Sequence, residues 1–181
     1  MGIAIIAIVG VALLLVVLYN GLVQLRVRAD SAWSDINVQL ERRHDLIPNL
    51  VETVKGYAGH ERGTFENVAK YRSAAMAATT PAEKSAAEGQ LTQALRGLLA
   101  VAESYPELKA SEQFTSLQNS LQSLEDAIQN SRRYYNAVVR DLNTKVVSFP
   151  SNMVAGIFGI QPRQYFELET PEARQVPAVK F

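Results

Sequence analysis

The 181-residue chain contains no cysteine. Disulfide bonds, thiolate catalysis and thiolate metal sites are therefore excluded, and either side of a membrane is compatible with its redox chemistry. The chain also has no net charge, because 18 basic residues balance 18 acidic ones. Binding to nucleic acid by electrostatic attraction needs a basic excess, so we expect no nucleic-acid partner.

Charge is also missing from the first 25 residues. The run from Gly2 to Tyr19 is almost entirely apolar, and Leu22 and Val23 extend it. Since about 20 helical residues cross a hydrocarbon core of roughly 30 Å, we predict a transmembrane anchor over residues 1–23. A cleaved signal peptide would need a basic start and a small-x-small cleavage site, and the run has neither. A buried core helix is disfavoured because the run is apolar on all sides.

Positive charge is distributed unequally about this predicted anchor. No Lys or Arg precedes it, whereas Arg26, Arg28, Arg42 and Arg43 follow soon after it. The positive-inside rule then predicts that the N-terminus lies outside and that the long C-terminal part is cytoplasmic.

Beyond the anchor, apolar residues recur at the three- and four-residue spacings of amphipathic helices. Long stripes cover about residues 22–57 and 111–147, and shorter ones cover about 64–78 and 80–104. Thr80 as N-cap, Pro81 at the first helical position and Glu83 in a capping box predict where the third helix starts. We predict an all-α fold in which the transmembrane helix continues into an antiparallel bundle, residues 24–147, of two long and two shorter helices.

The last 34 residues, 148–181, contain four prolines and no long helical period. We predict an irregular tail in which NMVAGIFGI makes one or two helical turns, while QYFELE and QVPAVKF are extended. Two placements remain open: the tail folds over one end of the bundle, or it contacts a neighbouring subunit or the membrane surface. For Trp33, partly buried packing is the favoured interpretation. Candidate interface residues are Trp33, Phe149, Pro150, Met153 and Phe158.

The stretch ERRHDLIPNL interrupts the first long stripe with a charge cluster and a proline. Pro48 cannot donate a hydrogen bond to the carbonyl of His44, so we predict a kink near residues 44–48 rather than a new helix. We name this feature the polar node, and expect it to fix helix register, with a contact between subunits as an extension. The polar node comprises Arg42, Arg43, His44, Asp45, Pro48 and Asn49.

The helical periodicity of the same stripe places Arg43 or His44 on the side of the helix that faces the bundle. A buried cation needs a partner of opposite charge, and Glu103 or Asp126 on later helices could supply it. The carboxylate pair Glu125–Asp126 is expected on a solvated helix face.

Catalytic chemistry finds little support in the residues. A metal site built from the His44–Asp45 and His60–Glu61 pairs would join groups about 24 Å apart along one predicted helix. HERGT lacks the second histidine of a zinc-protease helix, and P-loop, dinucleotide and nucleophile-elbow motifs do not occur. We therefore predict no enzyme activity, no metal and no cofactor.

Two long blocks carry a family resemblance. YNGLVQLRVRADSAWSDINVQLERRHDLIPNLVETVKGYAGHE resembles the N-terminal signature of the LemA family of bacterial membrane proteins, and SYPELKASEQFTSLQNSLQSLEDAIQNSRRYYNAVVRDLNTKVVSFPSNMVAGIFGI resembles its second half. The resemblance runs from Tyr19 to about Phe166, and residues after about Glu169 lie outside it. It implies an N-terminal anchor and a helical bundle, no agreed enzymatic reaction, and a connection with membrane organisation and envelope maintenance.

These patterns together predict a non-enzymatic, single-pass protein of the bacterial inner membrane. We expect it to act as a self-assembling scaffold or membrane-organising protein, with membrane lipid and further copies of itself as partners. The alternative is an adapter or sensor for a membrane protein quality-control complex, which would pass a signal through the continuous first helix.

Overall fold

The computed structural model describes residues 1–167, and within that range the fold is helical without strands, which confirms the predicted all-α class. Two long and two shorter helices were expected, and α6 corresponds to the one or two helical turns predicted in NMVAGIFGI. The short α4 was not expected and forms where Pro106 predicted only a break. Residues 168–181, including the predicted extended segment QVPAVKF, lie outside the described residues. The helices are α1 (Gly2–Lys55), α2 (Arg62–Ala77), α3 (Pro81–Glu103), α4 (Pro106–Lys109), α5 (Glu112–Val147) and α6 (Ser151–Ile157).

Helix α1 joins the apolar run to the first amphipathic stripe without interruption. Its first part is fully apolar and exposed, and among the described residues α1 is the one helix long and apolar enough to cross a membrane. It stays helical across Asn20 and Gly21, and again through Pro48. The kink near residues 44–48 remains a prediction.

The chain divides into two compact units, each containing parts of α1 and α5. Unit 1 consists of residues 1–37 and 130–165, and the described part of unit 2 consists of residues 38–129 together with 166 and 167. The predicted domains, an anchor, a bundle and a tail that follow one another along the chain, stay a prediction.

In unit 1, α1 and α5 run antiparallel. The rings of Trp33 and Tyr135 have centroids 5.4 Å apart, and a β-carbon on Gly21 would approach Lys145 Nζ to 3.1 Å. Residues early in α1 therefore lie beside residues late in α5, as antiparallel helices require. Buried apolar side chains of this unit are Leu22, Ala29, Ala32, Ile36, Tyr135, Val138, Val139, Leu142, Val154, Ala155 and Ile160.

The segment after α6 is fastened to unit 1 by hydrogen bonds. Asn143 donates to the Arg163 carbonyl at 2.9 Å and accepts from the Arg163 amide at 2.7 Å. The Tyr135 hydroxyl donates to the Gln164 carbonyl at 2.8 Å, and the Arg163 guanidinium pairs with Asp30 at 2.6 Å. Burial raises the pKa of Tyr135, which keeps its hydroxyl a donor. This part of the tail thus packs on α1 and α5.

In unit 2, α2 and α3 pack together beside the second part of α1. The predicted capping box of α3 is confirmed: the Glu83 amide donates to Thr80 Oγ1 at 3.2 Å, and the Thr80 amide donates to Glu83 at 3.1 Å. Each buried aliphatic or aromatic side chain contributes about 1.5–3 kcal/mol, so this core stabilises the unit substantially. Its buried members are Ile47, Leu50, Val54, Ala58, Phe65, Val68, Ala75, Leu91, Leu95, Leu98, Ala102, Leu108, Phe114 and Leu121.

Candidate functional site: a buried charge cluster

The most unusual feature of unit 2 is a guanidinium buried beside its apolar core. Arg43, on α1, is 1% exposed. It forms an ion pair with Glu88 of α3 and a second one with Glu125 of α5, at 2.6 Å. The Arg43 Nη1 atom, which pairs with Glu125, also donates to Thr92 Oγ1 at 3.3 Å. The buried Nε of Arg43 has no hydrogen-bond partner among the described residues. One cation therefore links three helices.

Glu88 is the centre of this group because it binds two neighbours on α1. Its Oε2 accepts from Arg43, and its Oε1 lies 2.8 Å from His44 Nε2. Burial acts to raise the pKa of Glu88, but the hydrogen bond with His44 and the positive charge of Arg43 outweigh it, so the net pKa is lowered. Glu88 is consequently an ionised, fully engaged carboxylate at neutral pH.

A second arginine satisfies the backbone beside this group. Pro48 has no N–H, so the His44 carbonyl lacks the usual helical donor four residues on. Arg72, on α2, donates its Nε–H to that carbonyl at 2.8 Å. The proline is thus accommodated within α1 by a side chain from another helix. We call Arg43, His44, Arg72, Glu88, Thr92 and Glu125 together the Arg43 cluster.

The structure divides the predicted polar node into buried and exposed residues. Arg43 and His44 are buried in the Arg43 cluster. The other four lie at the surface of α1, where the Asn49 carbonyl accepts from Thr53 Oγ1 at 2.8 Å. The exposed members are Arg42, Asp45, Pro48 and Asn49.

The acidic partners of Arg43 differ from those expected. Glu88 and Glu125 occupy the role that Glu103 or Asp126 was expected to fill. Of the pair that was expected on a solvated face, Asp126 is exposed, whereas Glu125 is one-third exposed and pairs with Arg43. Glu88 carried a signal that was missed, because it extends the α3 stripe of apolar residues by one three-residue step from Leu91. Arg72 carried the same kind of signal, because it lies four residues after Val68 and three before Ala75 on the apolar stripe of α2.

The geometry of the Arg43 cluster can be compared with what acid–base catalysis and metal binding require. A general acid or base needs a pKa near the working pH and access to substrate, and Glu88 is buried with its pKa moved away from neutrality. A groove of about 800 Å³ in unit 2 is open to solvent, is lined mostly by polar residues and contains no member of the cluster. Within residues 1–167, no group of three or more acidic or histidine side chains is placed to hold a metal ion. The groove is lined by Arg42, Ala110, Glu112, Thr115, Ser116, Asn119, Ser120, Ser123 and Leu124.

The predicted interface residues all belong to unit 1. Trp33 is half-buried and packs on Tyr135. Phe149, Met153 and Phe158 expose most of their surface, in and beside α6. Pro150 lies between them, half-buried, immediately before the first residue of α6.

Comparison with known proteins shows relatives along nearly the whole chain. The chain is 25% identical over 193 residues to magnetosome protein MamQ 2 of Paramagnetospirillum magneticum, an alignment that covers 92% of this chain and 71% of the relative. Similarity to magnetosome protein MamQ of Magnetospirillum gryphiswaldense is 23% identity over 192 residues, with the same coverage. Protein LemA of Metamycoplasma hominis is 26% identical over 156 residues, covering 80% of this chain and 70% of the relative.

The family match starts later and ends later in the chain than the resemblance found in the sequence, which began at Tyr19. The model of the LemA family matches residues 32–181, including the residues after Glu169 that were expected to lie outside it. With one N-terminal helix able to span a membrane and an all-helical fold, this is a membrane-associated chain that belongs to the LemA family.

Proposed function

We propose that this protein is a non-enzymatic, single-span membrane protein that assembles with copies of itself and organises the membrane around it. The continuity of α1 carries the proposal. One helix, Gly2–Lys55, begins as an exposed apolar span and continues as the helix that contributes Arg43 to the core of unit 2. An anchor that is part of the folded domain, rather than tied to it by a linker, suits a protein whose position at the membrane matters.

The Arg43 cluster supports the non-enzymatic part of the proposal. Its charges neutralise one another, and Arg43 and Glu88 are withdrawn from solvent. Buried ion pairs of this kind have their best-attested role in fixing register between helices. An enzyme would instead show turnover that is lost when His44 or Asp45 is changed while the fold survives.

The membrane and its orientation are part of the same proposal. We place the span in the bacterial inner membrane, with the N-terminus outside and both parts of the folded domain that follow it in the cytoplasm. The uncharged N-terminal side and the arginines beginning at Arg26 support this orientation. Contact with lipid follows from the exposed apolar surface of α1.

Two tagged forms of the full-length protein, expressed together and extracted in mild detergent, test the proposal. If the protein is a scaffold, purification through one tag should recover large amounts of the form that carries the other tag. No different protein should be recovered in a fixed ratio. Recovery of single copies alone would reject self-assembly.

The continuous α1 also favours a second candidate. A helix that runs from a span to a buried charge cluster could report a membrane event to a cytoplasmic partner, as an adapter or sensor of a quality-control complex would. The experiment with two tags separates these functions, since an adapter predicts mostly single copies with one partner protein in fixed ratio.

A further inference from the structure

Helix α6 has apolar side chains on both its buried and its exposed faces. Ser151, Val154 and Ala155 are buried against unit 1. The opposite side carries a single polar side chain, Asn152, whereas the outer face of a short helix in water is normally polar. It carries the α6 patch, which we define as Phe149, Met153, Ile157 and Phe158, with exposed fractions of 80%, 61%, 73% and 56%.

The α6 patch lies where α1 would leave a bilayer. The Phe158 ring is 4.4 Å from the Tyr19 ring. Twenty residues of helix from Gly2 span about 30 Å, so the hydrocarbon core ends close to Tyr19. Near the same level, the Lys145 ammonium at the end of α5 lies beside Gly21. All these residues belong to unit 1.

Charge is arranged in the same way on both segments. No charged side chain occurs in residues 1–25 or in residues 146–162. Cations stand at the boundaries: Arg26 follows the first segment, and Lys145 and Arg163 flank the second. An uncharged layer bordered by cations matches the change from acyl chains to phosphate headgroups, where aromatic residues also concentrate.

We propose that the α6 patch is a second membrane contact, inserted at the boundary between headgroups and acyl chains of the leaflet from which α1 emerges. The occupant is lipid because the patch is continuous, through the Tyr19–Phe158 contact, with the surface of α1 that the bilayer already covers. Exposed apolar helix faces of this kind insert a few ångströms into the interface. The protein would then contact the bilayer through one transmembrane helix, α1, and one interfacial helix, α6.

This inference deepens the proposed function and rests on its membrane span, but not on self-assembly. It gives the membrane-organising role a physical means, because apolar side chains inserted into one leaflet displace its lipids. It also fixes the base of unit 1 against the membrane surface.

Fluorescence quenching in vesicles tests it directly, since the chain has no cysteine to compete with an introduced one. Full-length single-cysteine variants Met153→Cys and Ile157→Cys would carry a polarity-sensitive dye. Each would be reconstituted in phosphatidylcholine–phosphatidylglycerol vesicles, with and without lipids spin-labelled near the headgroup end of the acyl chain. Leu14→Cys, in the span, and Tyr134→Cys, exposed on α5, are the controls.

The proposal predicts blue-shifted emission and loss of most of the fluorescence at both α6 positions, with no quenching at residue 134. Quenching at residue 14 but not at the α6 positions would overturn it while leaving the span intact. Emission that is blue-shifted yet unquenched would show a second copy of the protein covering the patch, and would equally reject lipid. Loss of quenching at residue 14 as well would reject the membrane span itself, and with it the proposed function.

Discussion

Arg72 donates its Nε–H to the carbonyl oxygen of His44 at 2.8 Å, and this carbonyl is the one that Pro48 leaves without a helical donor. An apparent defect in α1 is therefore a fastening point between α1 and α2. The same residue, His44, contacts Glu88 through its ring. Backbone and side chain of one residue thus join three helices of unit 2.

A double-mutant cycle tests this relationship. Arg72→Met keeps much of the apolar stem but leaves the His44 carbonyl unpaired, so we expect it to lower the free energy of unfolding by about 1–3 kcal/mol. In a Pro48→Ala background, the new amide at residue 48 can donate to the His44 carbonyl. Arg72→Met should then lower the free energy of unfolding by clearly less. Chemical denaturation of all four forms measures the coupling. Equal costs in the two backgrounds would show that Arg72 stabilises α1 in some other way.

Removing the buried cation should be more damaging. Arg43→Met leaves Glu88 buried without its main partner, and we expect a loss of roughly 3–5 kcal/mol. The neighbouring Arg42 is exposed and gives the matched control, since Arg42→Met should change stability by no more than about 0.5 kcal/mol.

A compensating substitution makes the Arg43 experiment specific. Arg43→Met combined with Glu88→Gln removes the unpaired negative charge and retains a polar partner for His44. The double variant should therefore be more stable than Arg43→Met alone, as thermal unfolding would show. If Arg43→Met leaves thermal stability and assembly state unchanged, the buried charges do not fix the bundle.

Stability should fall in acid because of Glu88. Its pKa is lower in the folded protein than the ordinary value of 4.5, so the unfolded chain takes up its proton at higher pH. Its contribution to stability is present above the unfolded pKa and is lost as the pH falls through the folded pKa. Glu88→Gln should be less stable at neutral pH and should lose less stability on acidification. The free energy of unfolding, measured from neutral to acidic pH, checks this dependence, with Glu66→Gln at an exposed position as the control. If the free energies of Glu88→Gln and the parent fall in parallel with pH, Glu88 is not the group responsible.

Reporter fusions test the orientation of the span. A fusion at the C-terminus should be active only in the cytoplasm, and one at the N-terminus only outside, because the arginines follow the apolar run rather than precede it. A C-terminal reporter active only outside would refute this orientation while leaving the helical fold unaffected.

Particular residues show which parts of the fold the sequence could predict. The start of α3 followed from Thr80, Pro81 and Glu83 because capping chemistry is local. The inward turn of Arg43 followed from helical periodicity for the same reason. Its partners did not, since periodicity within one helix says nothing about how far neighbouring helices are shifted along one another.

Glu88 and Glu125 illustrate two different errors. Glu88 lies on the α3 stripe, but a stripe defined by apolar residues alone begins only at Leu91 and so leaves Glu88 out. Glu125 lies next to Leu124, which the heptad places inward, and the adjacent position was assigned to solvent. A side chain as long as arginine can reach such a boundary position. Buried polar residues on neighbouring stripes therefore have to be considered together.

The mass of the full-length protein extracted in mild detergent, measured by native mass spectrometry and checked by negative-stain imaging, is the most direct test of the central claim. Self-assembly predicts one large homo-oligomeric species whose particles have a uniform size. Mostly single copies, bound in fixed ratio to a different protein, would contradict the scaffold and favour an adapter.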